Sequence, residues 1–294
     1  MISISVPLQK IEADFLRSND VHLFVYRLDQ THPNISGNKL FKLHYNLLKA
    51  KEQQKSTILT FGGAFSNHIA ATAAAGKEQQ FNTIGIIRGE KYPELNQTLV
   101  FAQSCGMELH YVTRELYKDK ERLDEFVKNK FAERNIYMIP EGGANDLGVK
   151  GCKEITANIP GDFDIICCPC GTGTTLAGII LSLKKHQHAI GFQVLKADNY
   201  IYNEVQHWLK ENKSDQTNWS INEQNHFGGY AKVKAELMEF MKQFKNDTGI
   251  PLDQIYTGKM MFGIYDMIRK GELKKGSKVI ALHTGGLQGN PANL

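Results

Sequence analysis

Short apolar runs rich in β-branched and aromatic residues recur along the chain, most of them close to glycine and followed by a helical pattern. They predict buried strands at Thr57–Phe61, Thr83–Ile87, Leu109–Val112, Ile136–Ile139, Phe163–Cys168, Ile190–Leu195 and Val279–Leu282. The patterns between them predict helices over Leu40–Lys51, Asn67–Lys77, Leu95–Cys105, Lys120–Arg134, Thr174–Lys185, Lys232–Asp247 and Met260–Lys270. Such alternation is the signature of α/β units on open parallel sheets. The four strands between Thr57 and Ile139 suffice for a sheet of their own, the rest forming a second, with a ligand cleft between. The polar stretch Asn212–Asn225 reads as a surface loop.

Composition narrows the function without naming it. The chain has 294 residues, 41% hydrophobic and 22% charged, as expected of a globular protein. Its apolar runs fall well short of the ~20 residues needed to span a bilayer. The first ten residues lack the basic start and apolar stretch of an export signal, so a cytoplasmic address is expected. Five cysteines, three of them in Cys167-Cys168-Pro169-Cys170, fit reduced thiols in a buried strand; their spacing is too tight for zinc, and no metal is expected. A net charge of +4, dispersed along the chain, offers no nucleic-acid patch but suits small anionic ligands.

Three segments carry candidate chemistry. In Cys170-Gly171-Thr172-Gly173-Thr174-Thr175-Leu176, a strand ends in glycines and a helix begins at once, aiming free N–H groups and hydroxyls at one point where a phosphate fits. Neither the Walker spacing nor Gly-x-Gly-x-x-Gly is present, and an ordinary βα turn with a threonine cap would look the same. In Ser36-Gly37-Asn38-Lys39-Leu40-Phe41-Lys42-Leu43, a helix beginning near Asn38 puts Lys39 in its first turn. There the helix dipole opposes a cation by ~0.3–1 kcal/mol. Lys42, three residues on, also favours the neutral, nucleophilic amine, although a solvated lysine is the commoner occupant. The third, Phe61-Gly62-Gly63-Ala64-Phe65-Ser66-Asn67-His68, opens a small-residue helix able to receive a carboxylate. Capping alone would explain Ser66 and Asn67, and His68 could equally be a core or surface residue.

Together these segments resemble, in order and spacing, the 1-aminocyclopropane-1-carboxylate deaminase / D-cysteine desulfhydrase family of fold type II pyridoxal-phosphate enzymes. Phe227-Gly228-Gly229-Tyr230, Ile255-Tyr256-Thr257-Gly258-Lys259 and His283-Thr284-Gly285-Gly286 extend the resemblance over nearly the whole chain. It implies two open parallel-sheet α/β domains with the cofactor, pyridoxal 5'-phosphate, in the cleft between them. Residues 1–48 and 146–294 would form the large cofactor-binding domain and 49–145 the small one. The resemblance also implies that Lys39 holds the cofactor as a Schiff base and that Asn67 meets its phenolic oxygen. Gly171, Thr172, Gly173, Thr174 and Thr175 would cradle its phosphate, and Lys42 and Thr284 would be further cofactor contacts. Ser66, Asn67 and His68 would receive the substrate carboxylate, Ser66 also standing beside the reacting centre. Tyr230 and Tyr256 would border the substrate, unless they are core aromatics.

The expected activity is β-elimination of D-cysteine, or a related small amino acid, to keto acid, ammonia and sulfide. The alternative is the cyclopropane-opening deaminase, whose branch typically has a glutamate where this chain has Thr257, and a leucine rather than Thr284. A hydroxyl leaves the pyridine less protonated than a carboxylate would. From other classes come a catalytically silent pyridoxal-phosphate carrier and a nucleotide-binding α/β protein. Departures from the family lie at Val25-Tyr26-Arg27-Leu28-Asp29, at His68 in place of glutamine, and at Leu287-Gln288-Gly289-Asn290. A homodimer is expected, as for many enzymes of this fold type.

Overall fold

A computed structural model describes residues 2–91 and 93–290. Among the described residues ten strands are formed: Leu8–Lys10 (β1), His22–Tyr26 (β2), Thr57–Gly63 (β3), Asn82–Arg88 (β4), Met107–Val112 (β5), Ile136–Ile139 (β6), Ile165–Cys170 (β7), His188–Gln193 (β8), Trp219–Asn222 (β9) and Lys278–Leu282 (β10). The helices among the described residues are Asp14–Ser18 (α1), Asn38–Glu52 (α2), Asn67–Gln79 (α3), Gln97–Ser104 (α4), Arg114–Lys118 (α5), Lys120–Lys130 (α6), Asp146–Cys152 (α7), Thr174–Ile180 (α8), Tyr200–Glu211 (α9), Ala235–Thr248 (α10) and Thr257–Arg269 (α11).

The strands make two sheets, one of order β5-β4-β3-β6 and one of order β1-β2-β10-β7-β8-β9. All pairings are parallel except that of β1 with β2, which adds a short antiparallel edge. Strand β3 is buried from Thr57 to Gly62 and β7 from Ile166 to Cys170, because helices cover both faces of each sheet. Pro169 lacks the N–H that a central strand normally donates. It lies beyond Cys167, the last residue of β7 paired with β10, so the ladder on that side has already ended. The strands diverge there, and the cleft opens at the carboxyl ends of β3, β7 and β10, the usual ligand position in open α/β sheets.

Several elements depart from the expectation. The supposed loop Asn212–Asn225 contains β9, an edge strand in which Trp219 alone is buried, so no apolar run announces it. Helix α9 was overlooked although Ile201, Val205 and Leu209 recur at i, i+4 and i+8 and all are buried. Helix α8 stops at Ile180, well short of Lys185, where Ser182 Oγ donates to the carbonyl of Ile179 at 2.7 Å.

Two glycines set how closely the backbone meets at the cleft. Gly37 caps α2 at φ 71°, ψ −151°, a region essentially reserved for glycine. A Cβ there would lie 1.9 Å from the carbonyl oxygen of Thr284. The start of α2 thereby rests directly on the segment after β10. Gly37→Ala is expected to destabilise the protein by about 2–4 kcal/mol, read as a lowered midpoint in denaturant unfolding. An unchanged midpoint would show that this contact is dispensable.

Candidate active site

A cavity of about 270 Å³ at these strand ends is lined by residues from both sheets and their following loops. Around it stand Lys39, Lys42, Ser66, Asn67, His68, Gly171, Thr172, Gly173, Thr175, Tyr230, Tyr256 and Thr284. Of the expected site residues only Thr174 is not on the wall. Its side chain is fully buried, and its hydroxyl lies 3.1 Å from that of Thr172.

Lys39 occupies the first turn of α2, its Nζ donating to Asn38 Oδ1 at 2.9 Å. Asn38 Nδ2 in turn donates to Thr175 Oγ1 at 2.8 Å, which ties the lysine to the glycine loop. Burial, aided by the charge of Lys42, pushes the Lys39 amine down to about 7. Lys42 itself is lowered by burial; its Nζ donates to the Gly142 carbonyl at 3.0 Å and to Thr172 Oγ1 at 3.2 Å. It is thus a cation held against the glycine loop, as a phosphate requires.

The turn before α8 uses Gly173 at φ 69° to bring its amides round the loop. Thr174 N–H bonds back to Thr172 O at 2.8 Å, whereas the N–H groups of Thr172, Gly173 and Thr175 have no acceptor within the chain among the described residues. At the other terminus, Ser66 caps α3 by accepting from Ile69 N at 3.3 Å, leaving the N–H groups of Asn67 and His68 without an acceptor. Capping and cavity lining therefore coexist in Ser66. The His68 ring is buried, with Nε2 2.9 Å from Thr60 Oγ1 and Nδ1 lacking any partner. Burial and the two lysines hold its pKa well below the usual range, so the ring is neutral.

Asn67 Oδ1 accepts from Gln288 Nε2 at 2.7 Å, which leaves the Asn67 amide N–H₂ as the free end. Gly286, at φ 99°, makes room: a Cβ there would be 2.5 Å from Asn67 Nδ2. The unusual C-terminal segment is therefore a brace for Asn67. The other departure, Arg27 with Asp29, forms a buried two-pronged ion pair at 2.9 and 2.7 Å, and His283 Nδ1 stands 3.4 Å from Asp29. This group joins the ends of β2 and β10 immediately below Thr284.

Tyr230 and Tyr256 meet edge-on, with ring centroids 6.1 Å apart. Burial raises both phenols above their ordinary range, so both keep their protons. Thr257 is not on the cavity wall. Its hydroxyl donates to Asp253 Oδ2 at 2.8 Å, and Asp253, itself buried, also accepts the N–H groups of Ile255, Tyr256 and Thr257. A carboxylate that fixes the start of α11 was missed because a lone aspartate before a helix reads only as a cap. Arg88, Glu141 and Tyr200 also reach the wall unannounced, since strand and loop ends carry no periodic signal.

An amine brought down to about 7, between a cationic, N–H-rich loop and a second free helix terminus, fits pyridoxal phosphate, with an orphaned ring nitrogen in the same wall. These are the parts of a fold type II pyridoxal-phosphate enzyme. A family profile described as "Pyridoxal-phosphate dependent enzyme" matches residues 6–285, and the chain belongs to that family. It is 35% identical over 297 residues to "Bifunctional D-cysteine desulfhydrase/1-aminocyclopropane-1-carboxylate deaminase, mitochondrial" of Arabidopsis thaliana, a match covering 92% of this chain and 74% of that protein. It is 28% identical to "D-cysteine desulfhydrase" of Klebsiella pneumoniae over 90% of this chain and 86% of that one. Among solved structures it is similar to an "ACC deaminase homologue", with TM-score 0.83, 29% identity and coverage of 97% and 90%. The enzyme therefore depends on pyridoxal phosphate. Among the described residues no helix is long and apolar enough to cross a membrane.

The lowered Lys39 pKa has a measurable sign. A free amine is the form that attacks the cofactor aldehyde, so the rate at which cofactor-free protein takes up pyridoxal phosphate should rise with pH and level off above about 7. A rate still climbing towards pH 10 would mean an ordinary, solvated lysine. Replacing Gln288 by Leu removes the bond that orients Asn67 and is expected to weaken pyridoxal-phosphate binding about three- to tenfold in a spectral titration.

Proposed function

We propose that the chain catalyses β-elimination on a small amino acid, D-cysteine in preference to 1-aminocyclopropane-1-carboxylate, releasing keto acid, ammonia and sulfide. The carrying observation is the amine of Lys39, brought down to about 7 and flanked by two separate sets of free N–H groups in one cavity. In this reading Lys42, the hydroxyls of Thr172 and Thr175 and the free N–H groups of Thr172, Gly173 and Thr175 hold the phosphate at the turn that begins with Gly171. Thr174 contributes through its backbone and its bond to Thr172. Asn67 and Thr284 contact the ring, and Ser66, Asn67 and His68 receive the substrate carboxylate. Residues 1–48 and 146–294 would act as the cofactor-binding domain and 49–145 as the smaller one, a division supported by the two sheets.

When bound, pyridoxal phosphate delocalises the electron pair left on the amino-acid carbon as a bond to it breaks. Lys39 Nζ, unprotonated in about half of the molecules near pH 7 and in most above it, takes the α-proton. The start of α3 would hold the substrate carboxylate through the free N–H groups of Asn67 and His68 and so fix which bond of the substrate is set to break. Tyr230 and Tyr256, kept protonated by burial, can hand a proton to the departing sulfur. Preference for D-cysteine is supported by the hydroxyl of Thr284 on the wall, while Thr257 is turned to Asp253 and presents nothing to the cavity. Such a site protonates the pyridine weakly, which suits loss of a good leaving group better than opening of a carbon ring.

The test presents the purified holoenzyme with D-cysteine and with 1-aminocyclopropane-1-carboxylate, measuring sulfide and keto acid separately. Sulfide from D-cysteine, with at least tenfold less keto acid from the cyclopropane compound, is expected. Equal rates would overturn the preference. A Lys39→Ala protein that kept both the absorption of lysine-linked cofactor and its turnover would overturn the assignment of Lys39.

A further inference from the structure

The loop that carries Tyr230 is built of two linked turns and is strained. Gly229 N–H donates to His226 O at 3.0 Å, and Lys232 N–H donates to Gly229 O at 3.1 Å. Phe227, Gly228, Gly229 and Ala231 all have positive φ, at 56°, 97°, 112° and 56°. For Phe227 and Ala231 that conformation is strained, and it persists only where the surroundings impose it. One side chain reaches both turns. Lys259, almost fully buried, donates from Nζ to His226 O at 3.0 Å and to Gly229 O at 2.7 Å, the same two carbonyls that close the turns.

Helix α11 holds this loop along one face. Tyr256, Lys259 and Phe262 follow at intervals of three, so they point the same way. Tyr256 meets the Tyr230 ring and Phe262 meets the Phe227 ring at 4.9 Å, with Lys259 between them. Among the described residues no carboxylate lies within 4 Å of Lys259 Nζ, and its two hydrogen-bond partners are both loop carbonyls. A buried ammonium given over to backbone carbonyls is an expensive way merely to fill space, since a methionine would pack there without desolvating a charge. Burial lowers its pKa to about 8 against the pull of Asp253.

We infer that Lys259 is a positioning residue of the enzyme: by bonding the carbonyls of His226 and Gly229 it sets the Tyr230 hydroxyl beside Tyr256 at the cavity. The inference rests on the proposed function only in taking Tyr230 as a neighbour of the substrate. Lys259 touches neither the cavity nor the cofactor loop, so its effect must pass through Tyr230.

The experiment is a double-mutant cycle on the holoenzyme with Lys259→Met, Tyr230→Phe and the pair. Alone, Lys259→Met is expected to lower kcat/KM for D-cysteine about 10- to 100-fold while leaving cofactor content and the absorption of lysine-linked pyridoxal phosphate unchanged. In the Tyr230→Phe background the same substitution should cost less than about threefold. Lys259→Gln, which keeps one donor, should recover part of the loss and covers the case in which the methionine variant does not fold. Independently of turnover, hydrogen exchange on cofactor-free protein should be faster over residues 226–232 in Lys259→Met and unchanged over 171–176. Multiplicative losses in the cycle, full activity in Lys259→Met, or loss of the cofactor band would each overturn the inference. Should wild-type protein fail to turn over D-cysteine, the proposed function fails, while the exchange measurement still decides whether Lys259 orders the loop.

Discussion

An ammonium ion stripped of water and set near a second ammonium lowers its free energy by giving up a proton, and Lys39 meets both conditions. The rest of the site follows from keeping that amine dry, near Lys42 and in one direction. Its direction comes from Asn38, which Thr175 holds in turn, so the lysine is referenced to the glycine loop rather than to solvent. Lys42 can stay charged because Gly142 and Thr172 solvate it, and its charge keeps the neighbouring amine free. The pair therefore sets a side chain bonded to the glycine loop beside an amine brought down to about 7.

Holding this arrangement requires backbone segments from distant parts of the chain to meet more closely than side chains permit. Gly37 rests on Thr284, Gly286 on Asn67, and Gly171 lies where a Cβ would press within 3.2 Å of the Tyr256 ring. Beneath them the Arg27–Asp29–His283 group pins the ends of β2 and β10 together. Burying charges is costly unless they are paired and hydrogen-bonded, and here both prongs of the guanidinium are used. The departures from the family pattern thus fall on the frame of the cavity, at Arg27–Asp29 and Gln288, as well as on its wall at His68.

What could be read from the sequence was what periodicity and backbone chemistry report. Buried parallel strands such as β3 and β7 show as unbroken apolar runs, and glycine-to-helix junctions show where N–H groups are free, so both helix termini with free N–H groups and the first-turn lysine were legible. Edge strand β9 was not, because one buried tryptophan makes no pattern. The bracing residues were hidden for a related reason: Gln288, Asp253 and Lys259 act across 221, four and 30 or 33 residues of separation, and only the four-residue span is local. Thr257 was assigned by its place in a motif, but the hydroxyl is committed to Asp253.

That commitment bears on which chemistry the cavity favours. Asp253 is a buried carboxylate near the cofactor site, and were it free it could protonate a pyridine ring. Four donors occupy it instead, three of them backbone N–H groups at the start of α11. A carboxylate so saturated is given over to the start of the helix and has no acceptor geometry left for a ligand. Glu141 is the carboxylate that does line the wall, and it comes from the loop after β6, on the small-sheet side, whereas Thr284 follows β10 of the large sheet. In the proposed arrangement the ring nitrogen meets a hydroxyl, and electron withdrawal is correspondingly moderate. An elimination that expels hydrosulfide needs no more, since the pair freed at the α-carbon passes into the new carbon–carbon double bond as the sulfur departs with its own bonding pair.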